Sequence, residues 1–231
     1  NHGQENQRLF EIGNTFTYKN SKKVKENKTI GGLLQGSAVI NNWKEQSREI
    51  SFYDLKGVVL DLLSQFKVDY SSSDSSVDFL HPGMSSSILL NNKEVGFMGS
   101  LHPKFLENLG FKQDIFVFSF EVENLKDKSL TSFKQFSKFP STSRDLAFLI
   151  SKETSAASIQ KIIESSAGDF FKGIKIFDVY QGKGIPEDKK SIALSVSWQS
   201  MEQTLVDSDI DNVIEKIVNS VKDELDGELR V

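Results

Sequence analysis

Apolar residues recur along this chain with two different periods, and the change from one to the other maps its architecture. Leu55, Val58, Val59, Leu62, Leu63 and Phe66 follow one another at spacings that keep them on one face of a helix. Ser51, with Asp54 at the third helical position, offers that helix a capping box, a side-chain exchange that satisfies unpaired backbone donors of the first turn. Around it the pattern predicts extended segments over residues 9–18, 29–40, 86–90, 94–101 and 115–122. In the last of these Phe116, Phe118, Phe120 and Val122 alternate with Val117, Ser119 and Glu121, the period of a strand with one buried face. A short helix is expected to begin at Pro103 and to end at Gly110. The Lys-rich stretch 19–28 reads as solvated loop.

The pattern lapses over residues 124–132, and the domain boundary is placed there, with a linker over 125–137. Beyond it come a strand at 144–151, a helix at 155–167, a strand at 172–180, a loop at 181–189, a strand at 190–199, a helix at 208–225 and a last strand at 228–231. That order, βαββαβ, is the ferredoxin-like arrangement. The second helix carries the clearest stripe, Ile210, Val213, Ile214, Ile217, Val218, Val221 and Leu225, with Asp207 or Ser208 as its expected cap. The fold class is therefore α+β: a mixed antiparallel domain over 1–124, truncated at its start, and a ferredoxin-like domain over 138–231.

Alternation also says which face of the second sheet is covered. Leu146, Phe148 and Ile150 point one way and Asp145 and Ala147 the other. Ile192, Leu194, Val196 and Trp198 share a face opposite Ser191, Ala193, Ser195 and Ser197. In the strand between them in sequence order, Phe177 and Val179 are expected in the core and Asp178 and Tyr180 outside; the same count sends Ile174 and Ile176 outside as well. The open face thus offers small and polar residues, carboxylates and one aromatic ring, which suits a partner better than a core.

Composition narrows the partner. With 38% hydrophobic and 26% charged residues in 231, this is an ordinary globular chain of two-domain length. No apolar run approaches the ~18 residues that span a bilayer. The opening residues 1–8 have neither the basic start nor the apolar stretch of a secretory signal, and the chain reads as a piece of something longer. Without cysteine there is no disulfide, no thiolate-bound zinc and no cysteine nucleophile, and a cytoplasmic location is expected. The formal net charge of −4 argues against coating nucleic acid by charge alone. Residues 1–136 hold 16 basic and 16 acidic residues, so the imbalance lies in the second half.

Three further patterns point away from catalysis or metal. His81 and His102 each precede a proline, and with no third ligand at metal spacing they are expected to serve turns. Asp207, Asp209 and Asp211 begin like a calcium loop, but Asn212 and Val218 stand where glycine and glutamate are needed. Gly182-Lys183-Gly184 lacks the spacing of a phosphate loop and reads as a hairpin tip.

Taken in order, the segments FSKFPSTSRDLAFLI (136–150), KIFDVYQGKGIPEDKKSIALSVSW (175–198), QTLVDSDI (203–210) and a final LR (229–230) resemble the ferredoxin-fold anticodon-binding domain that closes the β subunit of bacterial phenylalanyl-tRNA synthetases. In the first half RLFEIGNTF (8–16), FYDLKGVVLDLL (52–63), FLHPGMSSSI (79–88) and GFMGSLHP (96–103) resemble the catalytic-like, class II synthetase-like domain that precedes it. The resemblance implies anticodon contacts at Asp145, Ala147, Asp178, Tyr180 and Ser191, all of which alternation puts outside. Tyr180 would stack an unstacked loop base, the alternative being an ordinary surface tyrosine. Asp178 could instead form a turn before Gln181-Gly182, and Ser191 could be a plain strand residue. Lys172, Arg144, Lys175, Lys183, Lys189, Lys190 and Arg230 are candidate phosphate contacts.

Class II active sites hold ATP through arginine forks. Residues 1–136 contain only Arg8 and Arg48 and no GxGxGxER-like segment, so no catalytic residue and no metal site is expected. The resemblance implies a non-catalytic part of a phenylalanine–tRNA ligase, with tRNA(Phe) and an α subunit as partners in an α2β2 assembly. ATP and Mg2+ would serve the holoenzyme, not this part; neither membrane nor DNA is implied. A ferredoxin-like module that binds a regulatory amino acid is the alternative.

Overall fold

In the computed structural model, residues 6–20, 23–39, 42–66, 68, 70–125, 133 and 135–230 are described. The chain divides into two compact units, one within residues 1–131 and one within 132–231.

The first unit is built on six antiparallel strands, β1 (Gln7–Asn20), β2 (Lys23–Gln35), β3 (Tyr70–Ser73), β4 (Leu80–Leu90), β5 (Lys93–Leu101) and β6 (Ile115–Glu121), in the order β1-β2-β6-β5-β4-β3. Helix α1 (Phe52–Ser64) packs on β5 and β6. It sets Leu55, Val59 and Leu63 against Ile88, Met98, Phe116, Phe118 and Phe120. Its first turn is held as expected: the N–H and Oγ of Ser51 both donate to Asp54 Oδ2 at 2.8 Å. Arg48 grips the same carboxylate with two nitrogens, at 2.7 and 2.6 Å. Helix α2 (Pro103–Leu109) begins at its proline and ends on Gly110 in the left-handed region at φ 75°.

Three expectations change here. Residues 23–28 are strand, not loop: β2 starts at Lys23, opposite Asn20, and pairs with β1 back to Gln7, because a long hairpin satisfies its backbone while lysine side chains stay in water. The strand β3, Ser-rich and without alternation, exists only because Tyr70–Ser73 pairs with the edge of β4. The strand expected at 29–40 stops at Gln35, and residue 40 lies outside the described residues. The boundary also narrows. A 3-10 turn, Val122–Leu125, buries Leu125 in the first core, while the Ser137 hydroxyl donates to the Ser200 carbonyl at 2.6 Å. Residues 126–132 and 134 of the expected linker lie outside the described residues.

The second unit runs β7 (Thr142–Ser151), α3 (Ala156–Ser166), β8 (Phe171–Tyr180), β9 (Lys189–Trp198), α4 (Asp207–Leu225) and β10 (Glu228–Leu229), with sheet order β10-β7-β9-β8. Both helices are needed to close one apolar layer on this sheet: Leu146, Phe148, Ile150, Leu194 and Trp198 meet Ile159 and Ile163 of α3 and Ile210, Ile217 and Val221 of α4. The Trp198 indole N–H donates to the Ala167 carbonyl at 2.9 Å, which ties β9 to the end of α3. The cap of α4 differs from expectation. Val206 is the N-cap, and its N–H donates to Asp209 Oδ2 at 3.0 Å, so a carboxylate inside the first turn reaches back where neither Asp207 nor Ser208 does.

Candidate nucleic-acid interface

Both helices of the second unit pack on one side of its four-stranded sheet and leave the other side open. The registers arrange them in rows. Asp145, Ser195 and Lys175 lie across β7, β9 and β8; one step along come Ala147, Ala193 and Asp178, then Leu149, Ser191 and Tyr180. Small residues form the floor because any large side chain there would lack a covering layer. Asp145 and Asp178 are exposed at its two margins, Ala147 is half-buried, and Tyr180 is 39% exposed.

The β8 side corrects the expected facing. Its register slips between Ile176 and Asp178: Ile176 lies opposite Leu194 of the core face and Asp178 opposite Ala193 of the open face. One extra residue reverses the alternation beyond it, as a β-bulge does. Ile174 and Ile176 therefore pack on the core; Val179 keeps the expected core-side register opposite Ile192 but is 54% exposed on this edge strand, and Phe177, expected inside, has no register partner and is 53% exposed. Asp178 and Tyr180 keep the open face, for a reason that period 2 does not contain.

Tyr180 is braced from its own loop. Its hydroxyl donates to the Lys183 carbonyl at 3.3 Å. Gly182, at φ 152°, leaves room for the ring: a Cβ there would stand 3.0 Å from the tyrosine oxygen. The same loop, with Lys152 and Lys189, surrounds an open cavity of about 580 Å³ that Lys183 also lines.

Ser191 is on the open face but is only 4% exposed. Arg230, whose backbone N–H donates to the Ala147 carbonyl at 2.7 Å, reaches over from the end of β10 and donates from Nη1 to Ser191 Oγ at 3.4 Å. The guanidinium thereby joins the face, and the serine lies beneath it. Lys175 stands exposed on the open face and Lys183 on the loop. Lys189 pairs with Glu228 at 3.3 Å. Two candidates leave the face: Arg144 and Lys190 share the parity of the core residues, opposite Val196 and Ile150. Arg144 pairs with Asp207 of α4, and Lys190 Nζ donates to the Lys152 carbonyl at 2.8 Å.

The remaining candidates are occupied locally. Nδ1 of His81 accepts from the Gly83 N–H at 3.0 Å, and Nδ1 of His102 accepts from the Lys104 N–H at 3.2 Å. Among the described residues no group of three or more His, Asp or Glu side chains is placed to hold a metal ion. Arg8 donates to the Ser37 and Ala38 carbonyls at 3.2 and 3.1 Å. With Arg48 on Asp54, both guanidiniums of the first unit are taken up in structure, and these residues do not fit an ATP phosphate site.

Fold and face together define a ferredoxin-like module with a polar sheet face that its own helices leave open, preceded in sequence by an antiparallel α+β unit. Residues 1–122 match the family model for the phenylalanyl tRNA synthetase beta chain CLM domain, and residues 137–230 match that for the ferredoxin-fold anticodon binding domain. The chain is 39% identical over 225 residues to a phenylalanine–tRNA ligase β subunit of Legionella pneumophila (strain Lens), covering 96% of this chain and 28% of that protein. Similar relatives with the same name are found in Pseudoalteromonas translucida, at 35% identity over all of this chain and 29% of that protein, and in Methylococcus capsulatus, at 34% identity over 98% and 29%. The chain belongs to the phenylalanine–tRNA ligase β subunit family, and it spans 28–29% of the length of these relatives.

Proposed function

We propose that the second unit binds the anticodon loop of tRNA(Phe) on its open sheet face, and that the first unit is a non-catalytic scaffold for the α subunit that joins phenylalanine to tRNA. The observation that carries the reading is the pair of adjacent rows holding Ala147, Asp178, Ser191 and Tyr180, with a braced aromatic ring at one end. Single-stranded loops are recognised where splayed bases can stack on an aromatic ring and meet hydrogen-bonding groups at their edges. In this reading Tyr180 stacks a base, Asp145 and Asp178 accept from base or ribose donors, and Ala147 leaves space for close approach. Ser191 acts with Arg230 above it. Lys175, Lys183, Lys189 and Arg230 face phosphates, which position the loop without specifying it.

The first unit supports its part through what it leaves uncovered. The core face of its sheet continues onto β1, where Phe10, Ile12, Phe16 and Tyr18 share the side of the buried Ile30 and Phe118 yet stand 53–82% exposed. An apolar strip of that kind suits an obligate partner. The occupied arginines support a unit that does not itself form the adenylate. ATP and Mg2+ would then be used by the holoenzyme, in an α2β2 assembly of the cytoplasm. The amino-acid-binding alternative is not favoured, because the polar groups spread along a sheet face instead of converging in an enclosed pocket.

The two readings separate in a titration. An RNA hairpin carrying the tRNA(Phe) anticodon loop should saturate the chain, more weakly as salt rises, while free amino acids should leave its fluorescence unchanged. Saturable binding of an amino acid with no response to the hairpin would overturn the proposal.

A further inference from the structure

We infer that Phe177 is a second stacking surface for an unstacked nucleobase, set beside Tyr180 by the bulge in β8; the inference rests on the open face being the RNA-binding surface. The register gives Phe177 no partner of its own, between Ile176 opposite Leu194 and Asp178 opposite Ala193. Alternation from Ile176 sends Phe177 to the open side, and the slip that follows keeps Asp178 there too, so the two stand together over Ala193. The ring is 53% exposed, and Ile174 and Ile176 before it pack on the core. A phenylalanine turned outward on an edge strand is a liability to the unbound protein, and a bulge that does so next to a polar site re-aims a side chain. The ring has no polar atom and can offer only its π face, which accepts any base. Phe177 would therefore supply affinity without sequence preference, and Asp178 beside it the hydrogen bonds to a base edge.

The test uses the whole chain and an RNA anticodon hairpin with 2-aminopurine in its loop, compared across Phe177→Ala, Phe177→Tyr and Tyr180→Ala. Phe177→Ala should weaken binding roughly tenfold, and by a similar factor for a hairpin with the three anticodon bases changed, whereas Phe177→Tyr should stay within about twofold of the parent. The thermal midpoint of Phe177→Ala should remain that of the parent. If Phe177→Ala binds as tightly as the parent while Tyr180→Ala is weakened, the inference is overturned and the open face stands. If neither is weakened, the open face itself falls. Unchanged binding with a markedly lower thermal midpoint would assign the ring to the helix-side layer and also overturn the inference.

Discussion

The function of the second unit comes down to a few side chains whose facing is decided one residue at a time. Tyr180 is on the open face, its hydroxyl on the Lys183 carbonyl and its ring against Gly182, so in the proposed complex little freedom would be lost on stacking a base. Tyr180→Ala should weaken binding of the anticodon hairpin by about 1–3 kcal/mol at nearly unchanged stability. Tyr180→Phe should cost less, because the ring survives and only the contact to the loop goes; calorimetric titration with parallel thermal melts checks both. The facing of Asp145 and Ala147 was readable from alternation, whereas that of Asp178 and Tyr180 depends on the slip in β8 before them. The cover over Ser191 was not, because it comes from Arg230, 39 residues further along the chain. Arg144 and Lys190 have the right charge for phosphate, but strand parity turns them to the helix side, a property of position that charge does not reveal.

Elements depend on local exchanges that sequence spacing does express. At the start of α1, Asp54 accepts from Ser51 and from both forks of Arg48. The Arg48 hydrogen bonds, opposed by partial burial and helped by Ser51, hold its carboxyl below the usual carboxylate range. A carboxylate depressed in the folded state stabilises above its unfolded pKa, ~3.9, and loses that contribution as pH falls through the folded value. Asp54→Ala should therefore cost about 1 kcal/mol at pH 7, a figure kept modest because Arg48 is largely exposed. The gap between variant and parent should narrow in urea titrations below about pH 4; a gap that stays constant down to pH 3 would assign the effect to helix propensity alone. The β8 strand shows the opposite case. The segment Lys175 to Tyr180 contains no glycine or proline to announce a bulge, and the trace of it in the sequence is that strict alternation expels two isoleucines.

At the scale of the molecule, the described members of each core cluster come from one unit only: residues 30–125 for the first and 146–221 for the second. We propose that the boundary inside 125–137 joins two independently folding domains. Residues 133–231 expressed alone should then unfold in one cooperative urea transition, and loss of that transition, with the whole chain still unfolding in a single step, would make the units one. The sequence by itself determined the βαββαβ order, the amphipathic helices and the bare face, because periods of 3.6 and 2 are set by backbone geometry within each segment. Only tertiary structure decided where β8 slips, that a serine-rich edge becomes β3, and that Arg230 covers Ser191. Each of these depends on which strand lies alongside, and pairing between distant segments leaves no period in either one.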